Sequence, residues 1–135
     1  MTPLEASAAG GRSLRALAAT LVTGALYDFA FAALMLFAPQ FLGDAFGLPL
    51  PGEPFYLRLI AVLLAIAGAT YLVAARDPAA TPALVRLAVA GRLAGSVALA
   101  SSAAGRPELA GLWGAAAGDF AFGVAHAVTG RRLLR

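Results

Sequence analysis

The sequence contains no cysteine and no lysine, and it has a single histidine. Without cysteine there is no disulfide, no thiolate metal site and no cysteine nucleophile. One histidine cannot build a His-rich metal centre or ligate a haem from both faces. Charge is scarce as well. Only 13% of residues are charged, against roughly 25% in ordinary soluble domains. With 61% hydrophobic residues and a mean hydropathy of +0.82, a chain of 135 residues has too little polar surface to cover itself in water. Its natural solvent is lipid. Also absent are the H-E-x-x-H metalloprotease motif, the nucleophile elbow and the phosphate loop G-x-x-x-x-G-K-S/T. Gly114–Gly123, "GAAAGDFAFG", is glycine-rich, but it lies inside an apolar run and follows no strand, so it is no nucleotide loop. All ten basic residues are arginines, spread among the apolar segments. The net charge of +3 therefore describes no nucleic-acid-binding patch.

Four apolar segments can each cross a hydrocarbon core of roughly 30 Å, which takes about 20 helical residues. They cover about 14–38, 55–75, 82–104 and 109–129. Helix is the workable form, because open strands leave backbone groups unpaired in lipid. Pro39 stops the first segment, and the turn-rich Gly47–Pro54 leads into the second. Arg76-Asp77-Pro78 ends the second, since proline disfavours helix in the residue before it. Thr81-Pro82 reads as an N-cap followed by a first-turn proline. Gly105–Glu108 is a short connection that makes the third and fourth segments antiparallel neighbours. The expectation is a single transmembrane domain over 1–135, an all-α integral membrane four-helix bundle running up-down-up-down. The first segment is not expected to be a cleaved signal peptide, because its apolar run is too long and contains Asp28. The one long connection, Gln40–Pro54, reads equally as a loop or as a short interfacial helix with Phe41, Leu42, Ala45 and Phe46 on one face.

Arginine placement orients this bundle. Arg12, Arg15, Arg76, Arg86, Arg131, Arg132 and Arg135 fall on one side of the four-segment arrangement. The other side has Arg106 and Arg58 beside Asp44, Glu53 and Glu108. Positively charged flanks stay inside, so both termini are expected in the cytoplasm, with the protein multi-pass in a bacterial inner membrane.

Three charges do not sit at segment ends. At about 1.5 Å of rise per residue, Asp28, Arg92 and Asp119 all fall near the middle of the bilayer. A midplane charge facing lipid costs about 3 kcal/mol or more, so these three are expected to face inward and pair. The fork of Arg92 can hold both carboxylates through separate N–H groups. Tyr27, Ser96, His126 and Tyr71 are candidates to extend this cluster toward the cytoplasmic side. Beside that stands a structural reading. Polar side chains hold membrane helices together at about 0.6 kcal/mol per hydrogen bond with no further duty, and an Asp-Arg-Asp bridge could serve only to fix helix register. Tyr56 and Trp113 read as anchors at the outer interface. "GRLAG" (Gly91–Gly95) and "GAAAG" (Gly114–Gly118) place glycines at i, i+4, where helices can approach closely. The tetrapeptide "DFAF" occurs at Asp28–Phe31 and at Asp119–Phe122. It links segments that run in opposite directions, so a tandem duplication explains it poorly; the shared Phe-Ala-Phe reads as chance in an Ala- and Phe-rich chain.

Tyr27-Asp28, Tyr56-Leu57-Arg58, Arg76-Asp77-Pro78, Gly91-Arg92 and Gly118-Asp119 together resemble the small bacterial four-helix DoxX-like membrane proteins. The resemblance spans about Tyr27 to Phe122. At the position of Arg92 that family more often has lysine. The resemblance implies a membrane accessory or redox-linked role, with quinone or lipid as the ligand in view. The leading functional expectation is a non-catalytic accessory subunit or small binding bundle of a membrane complex, in contact with the lipid bilayer and with a membrane-protein partner or a second copy of itself. The other readings are a proton-coupled small-molecule carrier using Asp28, Arg92, Asp119 and His126, and a membrane enzyme acting on a lipid or quinone. No catalytic residue and no metal ligand is assigned.

Overall fold

The computed structural model describes residues 3–134, with side chains from Gly10 onward. Among them there is no strand. Five helices follow one another: α1 (Pro3–Phe37), α2 (Pro39–Phe46), α3 (Pro54–Arg76), α4 (Pro82–Ala103) and α5 (Leu112–Gly130). A 3-10 turn, Pro107–Leu109, precedes α5. Three of the long helices are long and apolar enough to cross a membrane: α1 over Gly10–Phe37, α3 and α4. Helix α5 has 19 residues, but Asp119 and His126 lower its apolarity.

Two boundaries differ from the sequence expectation. Helix α1 begins at Pro3 rather than near residue 14. The stretch upstream is rich in alanine, the strongest helix former, and Pro3 fits a first helical turn. Helix α5 begins at Leu112 rather than Leu109, because Pro107 starts a separate 3-10 turn. One cap differs as well, and another was not foreseen. The Thr81 hydroxyl does not cap α4; it donates to the Asp77 carbonyl at 2.8 Å. Helix α3 is capped instead by Glu53, whose carboxylate accepts from the Phe55 N–H at 3.1 Å.

Of the two readings of Gln40–Pro54, the short helix is what forms. Proline ends α1 and then serves as the first residue of α2. Gly47, in the left-handed region at φ 59°, closes α2, and this is a conformation that suits glycine. The four residues fall within about 140° of the helix circumference, but they divide in burial. Leu42 is buried and Phe46 half-buried against the bundle, while Phe41 and Ala45 are exposed. Helix α2 thus lies over the end of the bundle opposite the terminal arginines.

The helices pack as two extensive pairs, α1 with α3 and α4 with α5; α1 and α5 join them, and α3 and α4 meet only sparingly. Facing residues give the register. Gly130 lies against Val85 and Gly95 against Asp119, so α4 and α5 run antiparallel. Gly118 lies against Tyr27, and the Ser13 hydroxyl donates to the Thr129 carbonyl at 2.8 Å, so α1 and α5 are antiparallel too. A core of Leu17, Leu21, Ala25, Tyr71, Ala74, Val85 and Ala88 fills the arginine-rich end, and Leu133 and Leu134 fold back onto it. Arg12, Arg15, Arg76, Arg86, Arg131 and Arg132 are exposed; Arg135 lies outside the described residues.

The glycine pairs behave unevenly. Gly95 and Gly118 sit at close contacts, but a Cβ on Gly91 would meet nothing, and one on Gly114 only the Phe46 ring at 3.9 Å. Another close α4–α5 approach is at Gly123, where a Cβ would lie 2.8 Å from Leu93. The α1–α3 seam closes at Gly68, against the Ala25 carbonyl and the Phe29 ring. Substituting Gly68→Leu is expected to destabilise the fold by about 1–3 kcal/mol through overpacking, while Gly91→Leu should be near neutral. Unfolding by SDS titration in mixed micelles checks both; equal effects would refute this account of the seam.

Candidate functional site

Arg92 sits ten residues into α4 and eleven from its end, at mid-height in the bundle. It is 4% exposed. Its guanidinium reaches two other helices. Nη1 donates to Asp119 Oδ1 at 2.6 Å. Nη2 donates to the Gly24 carbonyl of α1 at 2.9 Å, and the same nitrogen lies 2.8 Å from Asp28 Oδ1. Gly24 and Asp28 are one helical turn apart, so one nitrogen can meet both. The Asp28 contact is a close ion pair without an aligned hydrogen bond, and Asp28 Oδ1 has no hydrogen-bond partner among the described residues. The structure thus brings Asp28, Arg92 and Asp119 into one buried network that ties α1, α4 and α5 together.

Aromatic rings enclose the cation. The Arg92 Cζ lies 5.3 Å from the Tyr27 ring centroid, and 5.1 Å from those of Tyr71 and Phe122. These distances are within the cation–π range, which is strongest where water is excluded. The sequence pattern did not signal this cage, although its spacing was available. Phe122 follows Asp119 by three residues and Phe31 follows Asp28 by three, so each shares a face with its aspartate. Both rings pack against Tyr27, at 5.3 Å and 4.7 Å. The second phenylalanine of each DFAF copy therefore faces the cluster, which chance alone did not anticipate. The first ones do not: Phe29 packs on Gly68, and Phe120 is exposed.

The neighbours divide. Tyr71 joins the network through its ring and is buried, not an interfacial anchor. His126 is completely buried, edge-on to Tyr71 and stacked near Phe122. Neither of its ring nitrogens has a hydrogen-bond partner among the described residues. Gly24 lies beside both His126 and Arg92, and a Cβ there would be about 3.4 Å from each, in ordinary van der Waals contact. Ser96 is buried one turn from Arg92 but makes no side-chain hydrogen bond to the cluster among the described residues. Tyr56 and Trp113 are exposed at the α2 end.

On one side the cluster is sealed. Leu17, Leu21, Ala74, Val85 and His126 close it off toward the arginine-rich end, each with no exposed surface. On the other side a partly enclosed cavity of about 170 Å³ descends to it. Phe31 and Met35 of α1, Leu42 and Phe46 of α2, and Leu112 of α5 form its apolar walls. Leu64 and Leu99 complete it at the loosely packed α3–α4 seam. Its floor is Tyr27, Arg92 and Asp119, the last 17% exposed. The residues of α2 in this wall were not foreseen as part of a site. Helix α2 reaches its position because Gly111 has no side chain; a Cβ there would overlap the Phe46 carbonyl. No three His, Asp or Glu side chains among the described residues converge as a metal site would require.

No family model matches the chain, and neither does any curated protein or solved structure.

Removing one member of a buried ion network leaves its partners' charge uncompensated, at a cost of about 3–5 kcal/mol. Arg92→Met alone is expected to be destabilised by that order. Combining it with Asp28→Asn and Asp119→Asn should restore most of the loss. SDS unfolding of the single and triple variants measures this, and a triple variant no more stable than the single would contradict the network.

Proposed function

We propose that this protein is a small integral membrane bundle that binds an apolar molecule with a polar head, acting as a non-catalytic binding or accessory subunit. The observation that carries this reading is the cavity whose apolar walls end on Arg92 and Asp119. An engineered cavity of about 150 Å³ lined by Leu, Ile and Phe holds benzene, so about 170 Å³ accepts a single substituted ring or a short branched chain. The Leu64–Leu99 wall lies at the α3–α4 seam, a lateral route from the hydrocarbon. A ring head of the quinone type or a lipid tail end fits these dimensions. The resemblance to DoxX-like proteins supports placement beside a quinone-linked membrane complex, with a membrane-protein partner or a second copy of the chain. The seal on the arginine side favours binding over transport, since a carrier needs access from both sides in turn.

In this reading all four long helices cross the membrane up-down-up-down, α5 being protected by its contacts with α1 and α4, in a bacterial inner membrane with both termini cytoplasmic. Because the chain lacks cysteine, single replacements report topology cleanly. Cysteines at Gly52 and Glu108 are expected to react with an impermeant maleimide in intact spheroplasts, and one at Ala79 only after lysis. Labelling of Ala79→Cys before lysis would overturn the orientation. For the ligand, native mass spectrometry of protein extracted from membranes should show a retained small apolar molecule, and Met35→Trp, which fills the cavity, should lose it. Equal retention by both proteins would defeat the binding role.

A further inference from the structure

We infer that the occupant of this cavity is a small organic monocation, an aromatic or branched apolar body carrying one ammonium group. The inference rests on the cavity being a binding site and specifies the charge of what it takes. With both acids ionised, two carboxylates and one guanidinium sum to −1, and the cavity lining holds no further charged group to balance them. The remaining arginines with described side chains are exposed, away from this floor. The imbalance has a location. Asp119 Oδ1 is taken by Arg92, but Oδ2 lies against Gly95, where a Cβ would come within 2.7 Å of it, and no donor among the described residues reaches it. Asp119 is also the more exposed of the two acids and lines the cavity. Asp28 is 1% exposed and does not line the cavity, so Asp119 is the acid that a molecule in the cavity can reach.

The cavity wall suits a cation as well. Phe46 stands edge-on to Phe31 at 5.5 Å, and Phe31 lies beside Tyr27 at 4.7 Å, so three rings line one side. Aromatic faces attract cations, most strongly where water is excluded, as the rings around Arg92 already illustrate in this same bundle. A carboxylate or phosphate head would add charge of the sign already in excess. A neutral hydroxyl could donate to Oδ2 but would leave the site at −1. An ammonium group both donates to Oδ2 and neutralises the cluster.

Benzylamine, benzyl alcohol and benzoate share one ring and differ in charge at neutral pH, and all are of a size the cavity accepts. Binding is measured by saturation-transfer NMR to the full chain in zwitterionic nanodiscs, with empty discs subtracted. Benzylamine is expected to bind at least about tenfold more tightly than benzyl alcohol, a modest return for a charge contact out of water, and benzoate should not bind. Asp119→Asn should remove the preference for the amine. Met35→Trp keeps every charge and should remove binding of both ring probes. Benzyl alcohol binding as tightly as benzylamine would overturn the charge assignment while leaving the cavity a binding site. No probe binding in the unmodified protein, or binding unaffected by Met35→Trp, would overturn both.

Discussion

Arg92 is the constraint around which the bundle is arranged. A guanidinium at the middle of a lipid-spanning structure has no water to fall back on, and its cost alone at that depth is several kcal/mol. It is held by contacts drawn from two other helices at once, the Gly24 carbonyl and Asp28 of α1 and Asp119 of α5. No single neighbouring helix supplies them all. The three helices must therefore arrive at one height and one rotation together, and much of the packing can be read as meeting that demand. Gly24 lies beside the guanidinium, Gly95 leaves space for the Asp119 carboxylate, and Gly118 admits the Tyr27 hydroxyl. Lysine would offer a point charge rather than a planar fork and could not span both acids in the same way.

The same centre divides the molecule into unlike halves. Toward the terminal arginines, large side chains fill the space and the Leu133–Leu134 tail folds back over it. Toward α2, small residues such as Ala115 and rings splayed around Tyr27 leave room. A bundle that needed Asp28, Arg92 and Asp119 only as a lock could have packed both halves. The exposure of Asp119 to the open half, against the near-complete burial of Asp28, is the asymmetry that a purely structural bridge does not require.

Much of this was legible from residue type and position. Apolar length and punctuating prolines located the long helices, and the depth of Asp28, Arg92 and Asp119 indicated that they would meet. Helix α5 was harder to place by apolarity, since the polar residues that make it interesting also dilute its hydropathy. The start of α1 was missed because the upstream stretch is not apolar enough to span, although its alanines favour helix. The cavity was not legible at all. It depends on how α2 folds back across the bundle end, which rests on a single missing side chain at Gly111 and on a tertiary contact with no periodic signature. The aromatic cage was partly encoded, in the three-residue spacing of Phe122 from Asp119, but spacing gives a face and not the neighbour that face meets.

The tight turn between α4 and α5 has a role beyond joining them. Gly105, at φ 71°, and the 3-10 turn after it set how far one helix is displaced along the other. Gly95 and Asp119 are opposite each other only at that displacement. A shift of one residue would rotate the carboxylate by about 100° around its helix and set it against a bulkier neighbour. The connection is thus a ruler for the electrostatics at mid-membrane, and changes in its length should be tolerated far less than its exposed, irregular character suggests.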